Sequence, residues 1–123
     1  MAKGLERIKG MLGFAMRAGK AVLGTDLILS SMSIKGKGRV WVVVISCEAA
    51  DNAREKLTAK AIHAQIPVVE VDIGMAELGR LLGKTYAPCA VAITDEGFAK
   101  EIVNAKASET ISGKEVSESG NGI

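Results

Sequence analysis

The chain of 123 residues predicts an α/β fold, a three-layer αβα sandwich built on one mixed sheet of about four strands. Three observations carry this expectation. Helical periodicity alternates with short extended runs along most of the sequence. The run Val40–Ile45 is apolar throughout and rich in β-branched residues, the pattern of a central strand covered on both faces. Aromatic residues are only 3% of a chain that is 48% hydrophobic, so the core is aliphatic, as suits helices packed on a buried sheet.

Leu5, Ile8, Leu12, Ala15 and Met16 recur at helical spacing and predict a first helix ending near Gly19. Ala21–Leu23 is a short extended piece. Gly24-Thr25-Asp26 then reads as a helix start, with Thr25 or Gly24 as its cap. Ile28 and Met32 give this second helix a buried stripe, and Gly36 and Gly38 close it. After the Val40–Ile45 strand, Asp51 or Asn52 caps a third helix with Glu55 at capping-box distance from Asn52. Ala53, Leu57 and Ala61 form its inner stripe. Pro67 prevents continuation and introduces the strand Val68–Val71. Met75, Leu78 and Leu82 mark a fourth helix stopped by Gly83. Ala90–Thr94 is another strand, and Asp95 caps a last helix carrying Phe98 and Ile102. After residue 105 Ser, Glu, Lys and Gly dominate, so 1–105 is read as the domain and 106–123 as a disordered C-terminal tail.

Composition narrows the function classes. The basic N-terminus is interrupted by Glu6, Arg7, Lys9 and Arg17 and is no signal-peptide core, and Val40–Ile45 is far short of the roughly 20 residues of a membrane helix. Cys47 and Cys89 have no paired spacing, which fits a reducing cytosol and supplies no zinc motif. A soluble cytoplasmic protein without metal or cofactor is expected. Residues 1–40 hold eight Lys or Arg against two carboxylates, a net +6, while the remainder is −4. That asymmetry points to an anionic partner at one end, with an ordinary solvated surface as the alternative.

No catalytic constellation stands out. His63, the only histidine, sits on a helix beside alanines, and neither cysteine has an evident base. Asp95-Glu96 reads as a cap and first-turn pair. Gly10 and Gly13 lie inside a helical pattern and not after a strand, so they do not form a dinucleotide turn. The start at Gly24 is different, because it follows an extended segment downstream of Arg17 and Lys20, and free N–H groups at such a start face phosphates or base edges. Asp26, Ser30 and Ser33 share one polar face. By themselves these residues fit a capped helix equally well.

The stretch Leu12–Lys20 followed by Gly24, together with Val40–Glu48, Ile66-Pro67-Val68, Glu77-Leu78-Gly79-Arg80-Leu81-Leu82-Gly83 and Ala90-Val91-Ala92-Ile93-Thr94-Asp95-Glu96-Gly97-Phe98-Ala99, resembles the bacterial branch of the kink-turn-binding ribosomal proteins, the family of archaeal L-seven-Ae and eukaryotic L-thirty-e. The similarity covers about residues 5–103. It implies an αβα sandwich that grips a sharply kinked, structured RNA, ribosomal RNA among the candidates, and does no catalysis. The family's Gly-x-Asn-Glu-x-x-Lys element, which enters the kink, falls on Gly24, Thr25, Asp26, Leu27 and Ser30. The loop that covers an extruded nucleotide falls on Lys84, Thr85, Tyr86, Ala87 and Pro88. Asp26, Leu27 and Ser30 replace the Asn, Glu and Lys of the pattern, and Ser30 removes a phosphate contact. Glu48 matches a family acid, and Cys47 replaces the acid usually before it. Arg17, Lys20 and Lys37 are expected to hold phosphates, and Tyr86 to stack a base. Two alternatives remain: a protein-interaction module on the same fold that has lost kink-turn binding, and an enzyme using Cys47 or Cys89.

Overall fold

A computed structural model describes residues 2–114. Its centre is a four-stranded mixed sheet, β1 (Ala21–Leu23), β2 (Val42–Ser46), β3 (Val68–Val71) and β4 (Ala90–Ile93), in the spatial order β1-β4-β2-β3. β2 pairs parallel with β3 and antiparallel with β4, and β4 pairs antiparallel with β1. Every residue of β2 and β4 is buried, as an aliphatic strand covered on both faces must be.

Five helices cover the two faces: α1 (Ala2–Arg17), α2 (Thr25–Ser31), α3 (Asp51–His63), α4 (Met75–Leu81) and α5 (Glu96–Lys114). Strand alternation divides the core in two. Val42, Val44, Val91 and Ile93 pack with Ile8 and Leu12 of α1, Leu78 of α4 and Ile102 of α5. Val43, Ile45, Ala90 and Ala92 face the other way, onto Ile28 of α2 and Leu57 and Ala61 of α3. The three layers are therefore α1/α4/α5, sheet and α2/α3. Lys9 donates to Glu77 at 2.8 Å and joins α1 to α4, and the Glu77 carboxylate holds that ammonium above its ordinary range.

The ends of the helices show local rules at work. Gly19, at φ 73, closes α1 in a double turn, with Lys20 N–H donating to Ala15 carbonyl at 2.8 Å and Gly19 N–H to Met16 at 3.1 Å. Gly83, at φ 70, closes α4 the same way, with Lys84 N–H donating to Gly79 carbonyl at 2.8 Å. Asp95 Oδ2 accepts from Phe98 N–H at 2.9 Å and caps α5 as the sequence predicts.

Four expectations are corrected. α2 ends at Ser31, before Gly36 and Gly38, because Met32 takes the capping position and the glycines, at φ 80 and 85, shape the loop beyond it. The cap of α3 is Ala50 and neither Asp51 nor Asn52, because burial of Ala49 brings the chain into the helix a residue early, leaving Asp51 in the first turn, paired with Arg54 at 3.1 Å. The β2 strand starts at Val42, two residues late, with Val40 buried ahead of it. α5 runs on to Lys114, into the segment read as a tail, whose remainder, 115–123, lies outside the described residues.

Ser46 is the one buried polar residue of the core among the described residues. Its hydroxyl donates to the Ile73 carbonyl at 2.7 Å and accepts from Glu48 N–H at 3.0 Å. Ser46→Ala leaves both groups without that partner and is expected to cost about 1–3 kcal/mol, read as a lower thermal midpoint.

Candidate nucleic-acid interface

Strand pairing decides which residues can share a site. Leu23 faces Val91, Ile45 faces Ala90 and Ser46 faces Val71, so the chain leaves β1, β2 and β3 and enters β4 at one end of the sheet. This pole carries the starts of α2, α3 and α4 and the loop of residues 84–88. At the opposite pole, the Lys20 carbonyl accepts from Thr94 N–H at 2.9 Å and Trp41 N–H donates to Ile93 at 2.8 Å.

The structure thus brings together two groups of the sequence-predicted residues. Gly24 caps α2 at φ 95, a conformation that L side chains rarely adopt, and no side chain closes the cap. Thr25 Oγ1 lies 3.6 Å from Cys89 Sγ in a hydrogen bond that fastens the start of α2 to the end of the 84–88 loop. Asp26 is exposed beside it, and Leu27 stands 62% exposed on the first turn. Across from them Lys84 is half-buried, Thr85 is exposed and Tyr86 presents its ring with 55% exposure. Leu27 and Tyr86 present large exposed apolar surfaces, the kind of surface an unstacked base can cover.

Ser30 sits on the last turn of α2 and is turned inward on its own helix. Its hydroxyl donates to the Asp26 and Leu27 carbonyls at 3.2 and 3.3 Å. Arg17, Lys20 and Lys37 are not at this pole. Arg17 and Lys20 precede β1, whose three residues span about 10 Å, and Lys37 lies on the loop that leads into β2 from the far end. Arg17 stacks on Phe14 at 5.1 Å. Arg17, Lys20, Lys35, Lys37 and Arg39 therefore lie away from Gly24, whose pole holds Asp26, Glu48, Asp51 and Asp72 beside Lys84, with Arg54 paired to Asp51 and Lys9 to Glu77.

Two positions at this pole have structural roles that the sequence reading did not assign. Glu48 accepts from Met75 N–H at 2.8 Å and caps α4, which neutral packing at Gly74 makes possible, since a Cβ there would stand 3.0 Å from the carboxylate. Gly79 lies under the 84–88 loop. A Cβ at Gly79 would overlap the Tyr86 carbonyl oxygen and press on Pro88 Cδ at 3.3 Å. The Leu-Gly-x-x-x-Gly spacing of Leu78, Gly79 and Gly83 carried this information without saying which glycine meets the loop.

Neither cysteine is set up as a nucleophile. Desolvation by the surrounding chain pushes the Cys47 thiol up, and Asp72, whose Oδ1 accepts from Sγ at 3.7 Å, adds to the shift. The exposed His63 lies at the other end of α3, about 18 Å of helix away. Among the described residues no group of three His, Cys, Asp or Glu could hold a metal ion, and no helix is long and apolar enough to cross a membrane.

The model of the family described as Ribosomal protein L7Ae/L30e/S12e/Gadd45 matches residues 6–103. RNA-binding protein YlxQ of Bacillus subtilis (strain 168) is 35% identical over 94 residues, 76% of this chain and 89% of its own. Large ribosomal subunit protein eL30 of Spodoptera frugiperda is 30% identical over 95 residues, 77% of this chain and 81% of its own. Among solved structures, a protein of unknown function from Bacillus halodurans C superposes with a TM-score of 0.73 at 27% identity, covering 82% of this chain and 97% of its own. A 15.5kD RNA binding protein of Giardia lamblia has the same fold, at TM-score 0.68 and 18% identity, covering 88% of this chain and 90% of its own.

Two outcomes are expected at this pole. Gly79→Ala displaces the Tyr86 loop while circular dichroism still reports a folded chain, at a stability cost of about 1–3 kcal/mol read as a lower thermal midpoint. Cys47, with its raised pKa, holds less thiolate at pH 8 than a free cysteine and is alkylated more slowly by iodoacetamide; faster alkylation would show an activated thiol.

Proposed function

The chain belongs to the ribosomal protein L7Ae/L30e/S12e/Gadd45 family, and from that membership we propose that it is a non-catalytic, cytoplasmic RNA-binding protein that grips kink-turn-like RNA with its Gly24 pole. The observation that carries the reading is the Thr25–Cys89 tie, which holds the start of α2 beside the end of the 84–88 loop; we read these two segments as the walls of an RNA groove. The family model spans residues 6–103, which include both walls, and the relative YlxQ is named for binding RNA.

In this reading the RNA kink enters between the walls. The backbone N–H groups of Thr25 and Asp26, with Gly24 giving the chain its turn, meet the kinked backbone and the edges of sheared pairs. The Asp26 carboxylate accepts from a base amine or imino group, since an acceptor-only side chain cannot approach phosphate without repulsion. Tyr86 and Leu27 cover an extruded base, and Lys84 and Thr85 hold the phosphate next to it. With Arg17, Lys20 and Lys37 at the far pole, the grip on the kink itself carries little positive charge, and shape supplies more of its selectivity than charge does.

The test is a comparison of a kink-turn RNA with a straight duplex of equal length by fluorescence anisotropy. Preferential binding of the kinked RNA is expected, and equal affinity overturns the kink-turn reading. Ser30→Lys restores a phosphate contact and frees the Asp26 and Leu27 carbonyls from the serine hydroxyl. It should tighten kink-turn binding about tenfold, as a charge-assisted contact of about 1.5 kcal/mol does. No change would mean that this face meets no RNA backbone, and recovery of a protein on it after nuclease treatment would favour a protein-interaction role.

A further inference from the structure

At the pole opposite Gly24, Lys35, Arg39 and Lys60 line a cleft of about 600 Å³. One wall is the loop between α2 and β2, which contributes Ile34, Lys35 and Arg39; the other is the end of α3, with Lys60, His63 and Gln65. Gly36 and Gly38, both at positive φ, turn the loop so that Lys35 and Arg39 line the same space, with Lys37 on the loop between them. No carboxylate lines this cleft, and among the described residues Lys35, Arg39 and Lys60 make no ion pair.

A second cleft of about 320 Å³ adjoins it and shares Arg39, Gln65 and Ile66. Its lining is mainly apolar, with Trp41, Pro67, Ala99 and Val103, and its carboxylate, Glu96, is paired with Lys100 at 3.6 Å. Arg39 stands between the two, its guanidinium stacked on the Trp41 ring at 4.2 Å. Stacking fixes the plane of the guanidinium and leaves its N–H edges available.

A cationic cleft joined through a stacked Arg–Trp pair to an apolar one has the chemistry of a nucleotide unit, phosphate on one side and base on the other. We propose that this pole is a second RNA site, which takes a single-stranded segment with its phosphates against Lys35, Arg39 and Lys60 and a base against the Arg39–Trp41 stack. It rests on the proposed function for the class of ligand, RNA, and not for the Gly24 groove. An A-form duplex keeps its bases stacked inside and offers the apolar cleft nothing, so single strands are selected. A chain with both poles occupied joins a kinked RNA element to a separate unpaired strand.

Trp41 is the only tryptophan and reports on the cleft directly. Titration of the full chain with a dodecauridylate should quench its fluorescence, with an affinity that falls steeply with salt. K35E/K60E should weaken that response about tenfold or more, K35R/K60R should retain it, and both variants should bind the kink-turn RNA as the parent does. A twelve-base-pair RNA duplex should leave the fluorescence unchanged. The proposal is overturned if dodecauridylate gives no quenching, if K35E/K60E keeps full affinity, or if a polyglutamate peptide of equal charge quenches as well, which would point to an acidic protein. Dodecauridylate binding that is lost in K35E/K60E, in a chain that ignores the kink-turn RNA, supports this site and overturns the reading of the Gly24 groove alone.

Discussion

The Ser46 hydroxyl is the contact on which the arrangement of the Gly24 pole depends. It lies fully buried at the carboxyl end of β2, where a polar group without partners would cost as much as a sizeable core truncation. Its bond to the Ile73 carbonyl fixes the connection from β3 to α4, and its bond from Glu48 N–H fixes the connection from β2 to α3. Glu48 is thereby aimed at Met75 N–H and sets the start of α4. Gly79 of that helix then lets the 84–88 loop lie across it, and Cys89 at the end of the loop meets Thr25. One buried hydroxyl is linked through four short steps to both walls of the candidate groove.

Charge is distributed against the direction that chain order suggests. A basic N-terminal third reads as a basic flank to the Gly24 turn, yet β1 carries the chain across the sheet between Lys20 and Gly24, and α2 carries it back before Lys35. The cations of residues 17–39 thus collect at the pole opposite the turn, where Lys60 joins them from α3. Asp26, Glu48 and Asp72 remain at the Gly24 pole, and part of their charge is spoken for, with Glu48 on the α4 backbone and Asp72 near Cys47. A molecule with a groove of little positive charge at one end and an unpaired cationic cleft at the other is suited to two different contacts with RNA.

The elements were legible where a local rule acts alone. Glycines at positive φ stop α1 and α4, Pro67 starts β3, Asp95 caps α5, and the unbroken aliphatic run marks the strand at the middle of the sheet. Reading was less accurate where a local rule competes with burial. Asp51 and Asn52 are better caps than Ala50 by residue type, but the burial of Ala49 sets where the helix begins. In α2 the glycines at 36 and 38 are good stop residues, and the helix had already ended at the buried Met32.

By itself the sequence determined the fold class, the alternation of its elements and the candidate turn at Gly24, because periodicity, caps and turn residues act within a few positions of one another. It also identified Lys84, Thr85 and Tyr86 as a loop, through resemblance. Only the tertiary structure decided which of these residues meet. Strand order is nonlocal, and the antiparallel pairing of β4 with β1 and β2 is what sets the 84–88 loop beside Thr25 and sends Arg17, Lys20 and Lys37 to the other pole. The parallel pairing of β2 with β3 brings Lys35 and Arg39, ahead of β2, to the same pole as Lys60, near the end of α3, residues that stand more than twenty positions apart and that no periodicity connects.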